Sequence, residues 1–296
     1  MSDRWLVTGS LGCLGAWTVV ILAREGARVV ALDRGTDQRR LRLIAAPEEL
    51  ETVTFVQGDI TEPKAVSRAL AEHEITHVVH LAALQVPFCK ADPVLGAQVN
   101  VTGTVNVFEA AKQHGLASPV AYASSAAVFD ENGEIAPRTH YGIYKLANEG
   151  TARVYWQDDG IASVGLRPFS VYGPGRDQGL TAGPTLAIEA AVRGQPYRIG
   201  FGGRTQLHYA PDVASAFVQA ARSPGDGAHA FSLGGPATAI AEFVTAVEAE
   251  IPGAELTFDE APLPFPDSLP APWFDSPLTR LEDGIHETAE ILRRVI

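Results

Sequence analysis

The chain has 296 residues, of which 46% are hydrophobic and 20% are charged, and its formal net charge is -12. These values are typical of a globular enzyme with one large α/β domain, or one domain and a smaller appendage. The negative charge argues against nucleic acid or anionic lipid as partners, because both require clustered Lys and Arg. No apolar run approaches the roughly 18 residues of a membrane span.

The chain contains two cysteines, Cys13 and Cys89. Two cysteines are too few for a disulfide framework, and no Cys/His spacing typical of a metal site appears. The first strand is predicted to begin near residue 4 without a charged-then-apolar leader. We therefore expect a cytoplasmic protein without a bound metal.

The first predicted strand runs into three glycines at intervals of three, Gly9, Gly12 and Gly15. The first glycine allows a sharp turn, the second lets a phosphate approach the backbone, and the third lets the next helix pack close to the strand. The N–H groups at the start of that helix then face the anion. The pattern predicts a site for a dinucleotide pyrophosphate.

Short β-branched runs alternate with helical patterns through the first half, which predicts a parallel sheet with crossover helices. Such a sheet binds its ligand outside the carboxyl ends of its strands. The predicted strands are Trp5–Thr8, Arg28–Leu32, Thr52–Gln57, His77–Leu81, Val120–Ala123 and Ala162–Leu166. The predicted helices are Cys13–Glu25, Pro63–Glu72, Pro93–His114 and His140–Asp158.

The second half is richer in Gly and Pro, as is typical of the loops that form a substrate-facing surface. A proline-rich stretch from Pro262 to Pro277 contains too many apolar residues for a simple flexible linker. The elements predicted here are helices at Pro184–Arg193 and Ile240–Glu250, and strands at Tyr197–Ile199 and Ala230–Leu233.

Asp33 lies at the end of the second predicted strand. A carboxylate there accepts hydrogen bonds from the adenosine ribose hydroxyls and repels a 2'-phosphate, which favours NAD over NADP. Asp33 could instead cap a turn, and the neighbouring Arg34 keeps dual specificity open. Asp59, after the third strand, could reach the adenine or form a turn.

Tyr141 and Lys145 are at i and i+4 near the start of a predicted helix and so share one face. A phenol titrates near pH 10, but a nearby ammonium and a nicotinium charge would lower its pKa and make it an acid/base group. Lys145 could also hold the nicotinamide ribose. Adjacent hydroxyls end the strand before this helix: Ser125 could orient a substrate oxygen toward Tyr141, whereas Ser124 is interpreted as a turn residue.

Taken in order, these residues resemble an extended short-chain dehydrogenase/reductase of the NAD-dependent epimerase/dehydratase family. The resemblance covers nearly the whole chain. The matching segments are Thr8–Gly15, Asp33, Gly58–Ile60, His80–Ala83, Asn100–Thr104, Ser124–Ser125, Tyr141–Lys145, Arg167–Arg176, Asp212–Ala214 and Leu281–Gly284.

The resemblance implies a Rossmann-type doubly wound parallel sheet and a smaller C-terminal substrate-binding region. The NAD-binding part would be residues 1–170, with 208–235 returning to it, and the smaller part would be 171–207 and 236–296. A homodimer would form through the two long helices, Pro93–His114 and His140–Asp158.

The resemblance also implies a catalytic triad of Ser125, Tyr141 and Lys145, in which Tyr141 transfers the proton. The residues expected to bind NAD are Gly9, Gly12, Cys13, Leu14, Gly15, Asp33, Asp59, Ile60, Leu81, Ala82, Ala83, Asn100, Tyr141, Lys145, Pro168 and Ser170. The residues expected to bind a carbohydrate substrate are Gln85, Ser125, Arg176, Arg204 and His208.

Two departures from the family pattern narrow the chemistry. Family members that dehydrate a sugar carry an Asp-Glu pair after the catalytic hydroxyl residue, whereas this chain has Ala126 and Ala127, so we do not expect a dehydratase. Members that use nucleotide sugars usually place an Arg on the pyrophosphate, but this chain has Thr205 there, with Arg204 one position out of register. A pyrophosphate would lose a charge-assisted contact.

Two enzyme readings stay open, since both need the same triad. In the favoured one, an oxidoreductase transfers hydride between NAD and a carbinol carbon of a sugar or sugar acid, with Tyr141 as the general base. In the alternative, an epimerase forms a keto intermediate and returns hydride to its other face. A non-catalytic NAD sensor is a third reading, against which the intact triad argues.

Overall fold

The computed structural model describes residues 3–269 and 278–295. Twelve strands and eleven α-helices are found in these two ranges. The strands are β1 (Arg4–Thr8), β2 (Arg28–Asp33), β3 (Val53–Gln57), β4 (His77–His80), β5 (Val120–Ala123), β6 (Ser163–Arg167), β7 (Ser170–Tyr172), β8 (Tyr197–Ile199), β9 (Arg204–Tyr209), β10 (Ala228–Ser232), β11 (Ala237–Ala239) and β12 (Leu256–Phe258). The α-helices are α1 (Cys13–Arg24), α2 (Arg39–Ile44), α3 (Pro63–Glu72), α4 (Val86–Ala91), α5 (Pro93–Ala97), α6 (Gly103–His114), α7 (His140–Asp159), α8 (Gly183–Val192), α9 (Ala210–Arg222), α10 (Ile240–Glu250) and α11 (Leu281–Arg293).

Seven of the strands form one sheet in the order β10-β6-β5-β4-β1-β2-β3, and every pairing in it is parallel. This confirms the predicted Rossmann-type α/β fold. The order reverses direction between β1 and β4, and ligands bind at such a switch point. Two small sheets, β11-β9-β7 and β12-β8, lie in the second half of the chain.

Helices cover both faces of the sheet because its central strands are apolar on both sides. Leu6 of β1 packs in a cluster with Phe108 of α6, while its neighbour Val7 packs in a second cluster with Phe217 of α9. All four side chains are fully buried. Each such burial stabilises the fold by about 1.5–3 kcal/mol before the loss of chain entropy is counted.

The long helix predicted over Pro93–His114 is interrupted. It consists of α5, a wide π-helical turn at Gln98–Thr102 and α6. The wide turn brings Asn100 inside, where its amide pairs with the backbone N–H and C=O of Leu84 at 2.7 and 2.9 Å. The hydrophobic pattern alone does not reveal this interruption, because both helical parts keep the same buried face.

Most other bounds differ from the predicted ones by a residue or two, but several elements were not predicted. Helix α9 lies in sequence that we interpreted as Gly/Pro-rich, yet Pro211 occupies its first turn, where proline is tolerated. Short strands such as β7 and β11 have too few residues for an alternating pattern. The elements missed are α2, α4, α9, α11, β7, β9, β11 and β12.

Part of the proline-rich stretch packs against the body of the protein. Leu263 is buried in the core formed by α8, α10 and α11, and the ring of Phe265 meets that of Phe169 at 5.9 Å. Residues 270–277 of this stretch lie outside the described residues. In the described ranges, no helix combines the length and the apolar character that crossing a membrane requires.

Candidate functional site

A cavity of about 190 Å³ lies at the carboxyl ends of β1, β4 and β5. It is the place where a doubly wound sheet is expected to bind a ligand. Many of the residues expected from the sequence meet in its walls. These are Gly9, Gly12, Cys13, Leu14, Gly15, Leu81, Ala83, Gln85, Ser125, Tyr141, Lys145, Pro168 and Arg176.

The glycine loop has the geometry that the motif predicts. Gly9 adopts a positive φ of 68°, and a Cβ there would lie 2.6 Å from the Cα of Ala82. A Cβ on Gly15 would collide with the carbonyl oxygen of Gly9. Gly12 is the N-cap of α1, and no side chain caps the helix there. Unused N–H groups at a helix start suit a phosphate, so the loop fits the pyrophosphate of NAD.

Asp33 holds this loop in place in addition to lying at the expected ribose position. Its Oδ2 accepts a hydrogen bond from the backbone N–H of Leu11 at 3.0 Å, and its Oδ1 accepts one from Gly35 at 2.9 Å. Asp59 accepts two hydrogen bonds from Thr61 and so forms a local turn. The carbonyl of the buried Ile60 accepts a hydrogen bond from the side chain of Asn106.

The three candidate catalytic residues come from two elements. Ser125 follows β5 in extended backbone, with φ −165° and ψ 153°. Tyr141 lies in the first turn of α7, whose N-cap Thr139 accepts a hydrogen bond from Gly142 at 3.0 Å. Lys145 lies one turn later, and its Nζ donates to the carbonyl of Ala123 at 2.7 Å and sits 5.4 Å from the centre of the Tyr141 ring.

Burial acts on the ionisation of these groups. It lowers the pKa of Lys145 to about 8 and raises the pKa of Tyr141. A hydrogen bond with Ser125 opposes the rise in the pKa of Tyr141, and so does the positive charge of Arg176. From the sequence we expected the charge of Lys145 to favour the ionised phenol of Tyr141. In the structure the charge of Arg176 has this effect.

A buried ion pair that the sequence did not reveal lies behind the serines. Arg167 donates two hydrogen bonds to Glu149 at 2.7 and 2.5 Å, and Ser124 donates to Glu149 Oε1 at 2.5 Å. This network ties α7 to the segments on either side of the cavity, since Ser125 and Pro168 are the next residues along the chain. The sequence gives one indication that Glu149 faces this side of α7: it lies four residues after Lys145 and therefore on the same face of the helix.

Several expected residues lie outside the cavity wall. Asn100 supports the loop at Leu84, and the backbone of Ala82 contacts Gly9. Ser170 is buried in β7, with its hydroxyl 3.2 Å from that of Thr205. None of these three residues lines the cavity.

The structure does not bring Arg204 or His208 to the cavity. Arg204 is half exposed on β9 and pairs with Glu242 at 3.4 Å. Both ring nitrogens of the buried His208 are engaged: Nδ1 accepts from the N–H of Phe169 at 3.2 Å, and Nε2 lies 3.2 Å from the carbonyl of Gly234. Burial lowers the pKa of His208 to about 4, so the ring is neutral and Nε2 donates.

Comparison with known proteins identifies the family of this chain. The model of the NAD-dependent epimerase/dehydratase family matches residues 5–234. The UDP-glucose 4-epimerase of Mycolicibacterium smegmatis is 32% identical over 257 residues, which cover 82% of this chain and 81% of that protein.

Two solved structures have the same fold. The complex of Thermus thermophilus UDP-glucose 4-epimerase with NAD is 27% identical, with a TM-score of 0.83 over 99% of this chain and all of that one. The L-threonine dehydrogenase of Clostridium difficile is 21% identical, with a TM-score of 0.86 over 99% of this chain and 98% of that one, a likeness of fold alone. The resemblance stated from the sequence is confirmed: this NAD-dependent enzyme belongs to the NAD-dependent epimerase/dehydratase family.

Proposed function

We propose that the protein transfers hydride between NAD and a carbinol carbon of a sugar or sugar acid, with Tyr141 as the proton-transferring residue. The observation that carries the proposal is the position of Tyr141 in the cavity wall beside Ser125, with the uncapped start of α1 in the same cavity. Burial raises the pKa of Tyr141, and the hydrogen bond with Ser125 opposes that rise. Bound NAD supplies the hydride acceptor.

The roles of the residues follow from their positions. Tyr141 removes the proton of the substrate hydroxyl, and Ser125 orients that hydroxyl by hydrogen bonding. Lys145, fixed by Ala123, holds the nicotinamide ribose and keeps a positive charge near the site below about pH 8. Pro168 and Phe169 line the cavity and would lie at the nicotinamide end.

The cofactor would lie along the loop from Gly9 to Gly15, with its adenosine ribose at Asp33. Asp33 already accepts two backbone hydrogen bonds, and each carboxylate oxygen can accept another. The residues proposed to contact NAD are Gly9, Gly12, Cys13, Leu14, Gly15, Asp33, Leu81, Ala83, Tyr141, Lys145 and Pro168.

The epimerase alternative is compatible with the same residues, and the UDP-glucose 4-epimerase relative favours it. One feature favours a substrate without a nucleotide. Thr205, at the position of the expected arginine, is buried with its hydroxyl 3.2 Å from that of Ser170, while the preceding Arg204 pairs with Glu242. The cationic partner expected for a substrate pyrophosphate therefore does not come from this strand.

An incubation with NAD and a panel of aldoses, alditols, sugar acids and UDP-sugars separates the two readings. Accumulation of NADH together with an oxidised product supports the dehydrogenase. Isomerisation of a substrate without accumulation of NADH supports the epimerase and refutes the leading proposal.

A homodimer through the long helices is a second proposal. Ile143 and Val154 of α7 are 50% and 52% exposed, and together with the exposed Ala147 they lie on one side of the helix. An apolar row of this kind suits a helix-to-helix contact. In sedimentation experiments, a dimeric wild-type chain that becomes monomeric as I143E would support the proposal, and a monomeric wild-type chain would refute it.

We also propose the two-part division made from the sequence. Strand β10 extends the large sheet beside β6, and α9 packs on α1, which supports the assignment of 208–235 to the NAD-binding part. The cytoplasmic location stays a prediction, and imaging of a tagged chain tests it.

A further inference from the structure

The loop between β7 and α8 carries two adjacent residues of opposite charge whose side chains go to different partners. Asp177 pairs with Arg40 at 2.5 Å and with Arg39 at 2.8 Å. Arg176 forms no ion pair with a carboxylate of residues 3–269 or 278–295. The acid nearest to Arg176 in sequence is thus already neutralised by two other arginines.

The hydrogen-bonding capacity of Arg176 is largely unused. Its Nη2 donates to the hydroxyl of Thr181 at 3.2 Å, and its buried Nε has no partner among the described residues. A guanidinium carries five N–H donors in a planar fork that matches a carboxylate. A ligand that supplies a carboxylate would satisfy the donors that the protein leaves open.

The cavity around Arg176 has the charge balance of an anion site. Lys145 and Arg176 are the charged residues in its lining, and no Asp or Glu of the described residues takes part in it. The nearby wall formed by Leu180, Phe265 and Phe169 is apolar and offers few other polar partners. An anion there would meet low screening and a fixed positive charge.

A third polar side chain converges on the same place. Gln85 Oε1 is buried without a partner in the described part of the chain. A Cβ on Gly179 would collide with that oxygen and lie 3.1 Å from Nη2 of Arg176, so both side chains approach the same point of the loop. Rotation of the amide by half a turn presents its N–H₂ group to a carboxylate.

Arg176 is also close enough to the candidate catalytic tyrosine for its charge to matter. Its positive charge opposes the rise that burial causes in the pKa of Tyr141. A group bound at Arg176 therefore lies in the same cavity as the phenol.

We propose that Arg176, with Thr181 and Gln85, binds the carboxylate of the substrate, so that the enzyme acts on a hydroxy acid of the sugar-acid or uronic-acid class. The assignment rests on the proposed function and names the substrate class of that site. The carboxylate belongs either to a free sugar acid or to a nucleotide-linked uronate. The alternative ligand for Arg176 is the pyrophosphate of NAD, and the test below distinguishes the two.

The proposal is tested with pairs of compounds in which one member has a carboxylate where the other has a hydroxymethyl group. The pairs are glucuronate and glucose, threonate and threitol, and UDP-glucuronate and UDP-glucose. Affinity for each is measured by calorimetry on the NAD-saturated enzyme, and turnover is measured separately. The affinity for NAD is measured without substrate. The chains compared are the wild type, R176Q, R176K and, as a matched control, R204Q.

The wild type is expected to prefer the acidic member of at least one pair, and the pair that responds identifies the free or the nucleotide-linked source. Loss of a charge-assisted, two-pronged contact should lower that preference about 100-fold in R176Q. R176K should retain part of it, because it keeps the charge without the planar fork. R204Q should match the wild type, and affinity for NAD should be unchanged in all four chains.

Three results would overturn the assignment: no preference for acids in the wild type, the same preference in R176Q, or weakened NAD binding in R176Q with both pair members affected equally. The last result assigns Arg176 to the NAD pyrophosphate. Turnover of uncharged members alone refutes the carboxylate site and leaves the proposed function standing. Tight binding of acids without hydride transfer to any compound refutes the proposed function and leaves the site standing.

Discussion

Arg40 and Asp177 form an ion pair at 2.5 Å that joins the segment after β2 to the loop after β7, across the start of α1. Arg40 also donates to the carbonyl oxygens of Leu11 and Gly175 at 2.9 and 3.1 Å. On the same side, the indole of Trp17 donates to the carbonyl of Pro174 at 2.9 Å. These contacts hold the loop after β7 against the glycine loop that is proposed to bind the NAD pyrophosphate.

Removing the charge of Asp177 should weaken the contact between these two loops and speed the release of NAD. The pair is partly exposed, so we expect D177N to weaken NAD binding by about 3- to 10-fold, mainly through a faster dissociation rate. Stopped-flow displacement of bound NAD measures that rate. D37N is the control, because Asp37 contacts Arg39 at 3.7 Å in an exposed pair. Equal dissociation rates in D177N and D37N would contradict the account.

Glu149 should contribute strongly to stability through its pair with Arg167. The two side chains are 7% and 13% exposed, so removal of the carboxylate in E149A leaves a charge buried without its partner. We expect a loss of about 3–5 kcal/mol in the free energy of unfolding, measured by urea denaturation. The exposed pair of Glu189 and Arg193 is the comparison, and E189A should change stability by less than about 0.5 kcal/mol. Similar losses in both variants would contradict the assigned role.

Arg176 should control the pH dependence of turnover. Its positive charge opposes the rise that burial causes in the pKa of Tyr141, so R176Q should raise that pKa further and move the rising limb of kcat/KM to higher pH. An uncharged substrate is used for the measurement so that substrate binding by Arg176 does not enter. R204Q should leave the profile in place, and an unmoved profile in R176Q would mean that its charge does not reach the phenol.

His208 should make the fold sensitive to acid. Its pKa in the folded protein is about 4, below the 6.5 of an unfolded chain, so the unfolded state binds the proton more tightly. Stability present above about pH 6.5 is then lost as the pH falls toward 4, by about 3 kcal/mol for this residue. H208Q, which can keep one donor and one acceptor, should flatten that dependence in urea denaturation. H229Q, at a more exposed histidine, should not, and an unchanged slope in H208Q would contradict the argument.

The sequence predicted the part of the site that depends on backbone geometry and helical spacing. Gly9 and Gly15 have the turn and the close packing that their spacing indicates, and Tyr141 and Lys145 share a face because they are one turn apart. Asp33 lies at the end of β2, as the strand pattern predicts. These features are local, so a few neighbouring residues determine them.

The features that were missed depend on contacts between distant segments. The sequence predicted both Arg176 and Arg204 as substrate residues, but spacing could not show that Arg176 lines the cavity while Arg204 pairs with Glu242. It could not show that the π-helical turn directs Asn100 to Leu84, nor that Glu149 meets Arg167. Side-chain direction at these positions follows from the packing of the sheet and its helices.

The most direct test of the central claim is hydride transfer by Y141F, measured as NADH formation with the best substrate of the panel, beside the affinity of the same variant for NAD. The substitution removes the hydroxyl and keeps the ring. Loss of about 10²- to 10⁴-fold in kcat with unchanged NAD affinity is the expected result. Turnover at the wild-type rate would show that another group transfers the proton and would contradict the account.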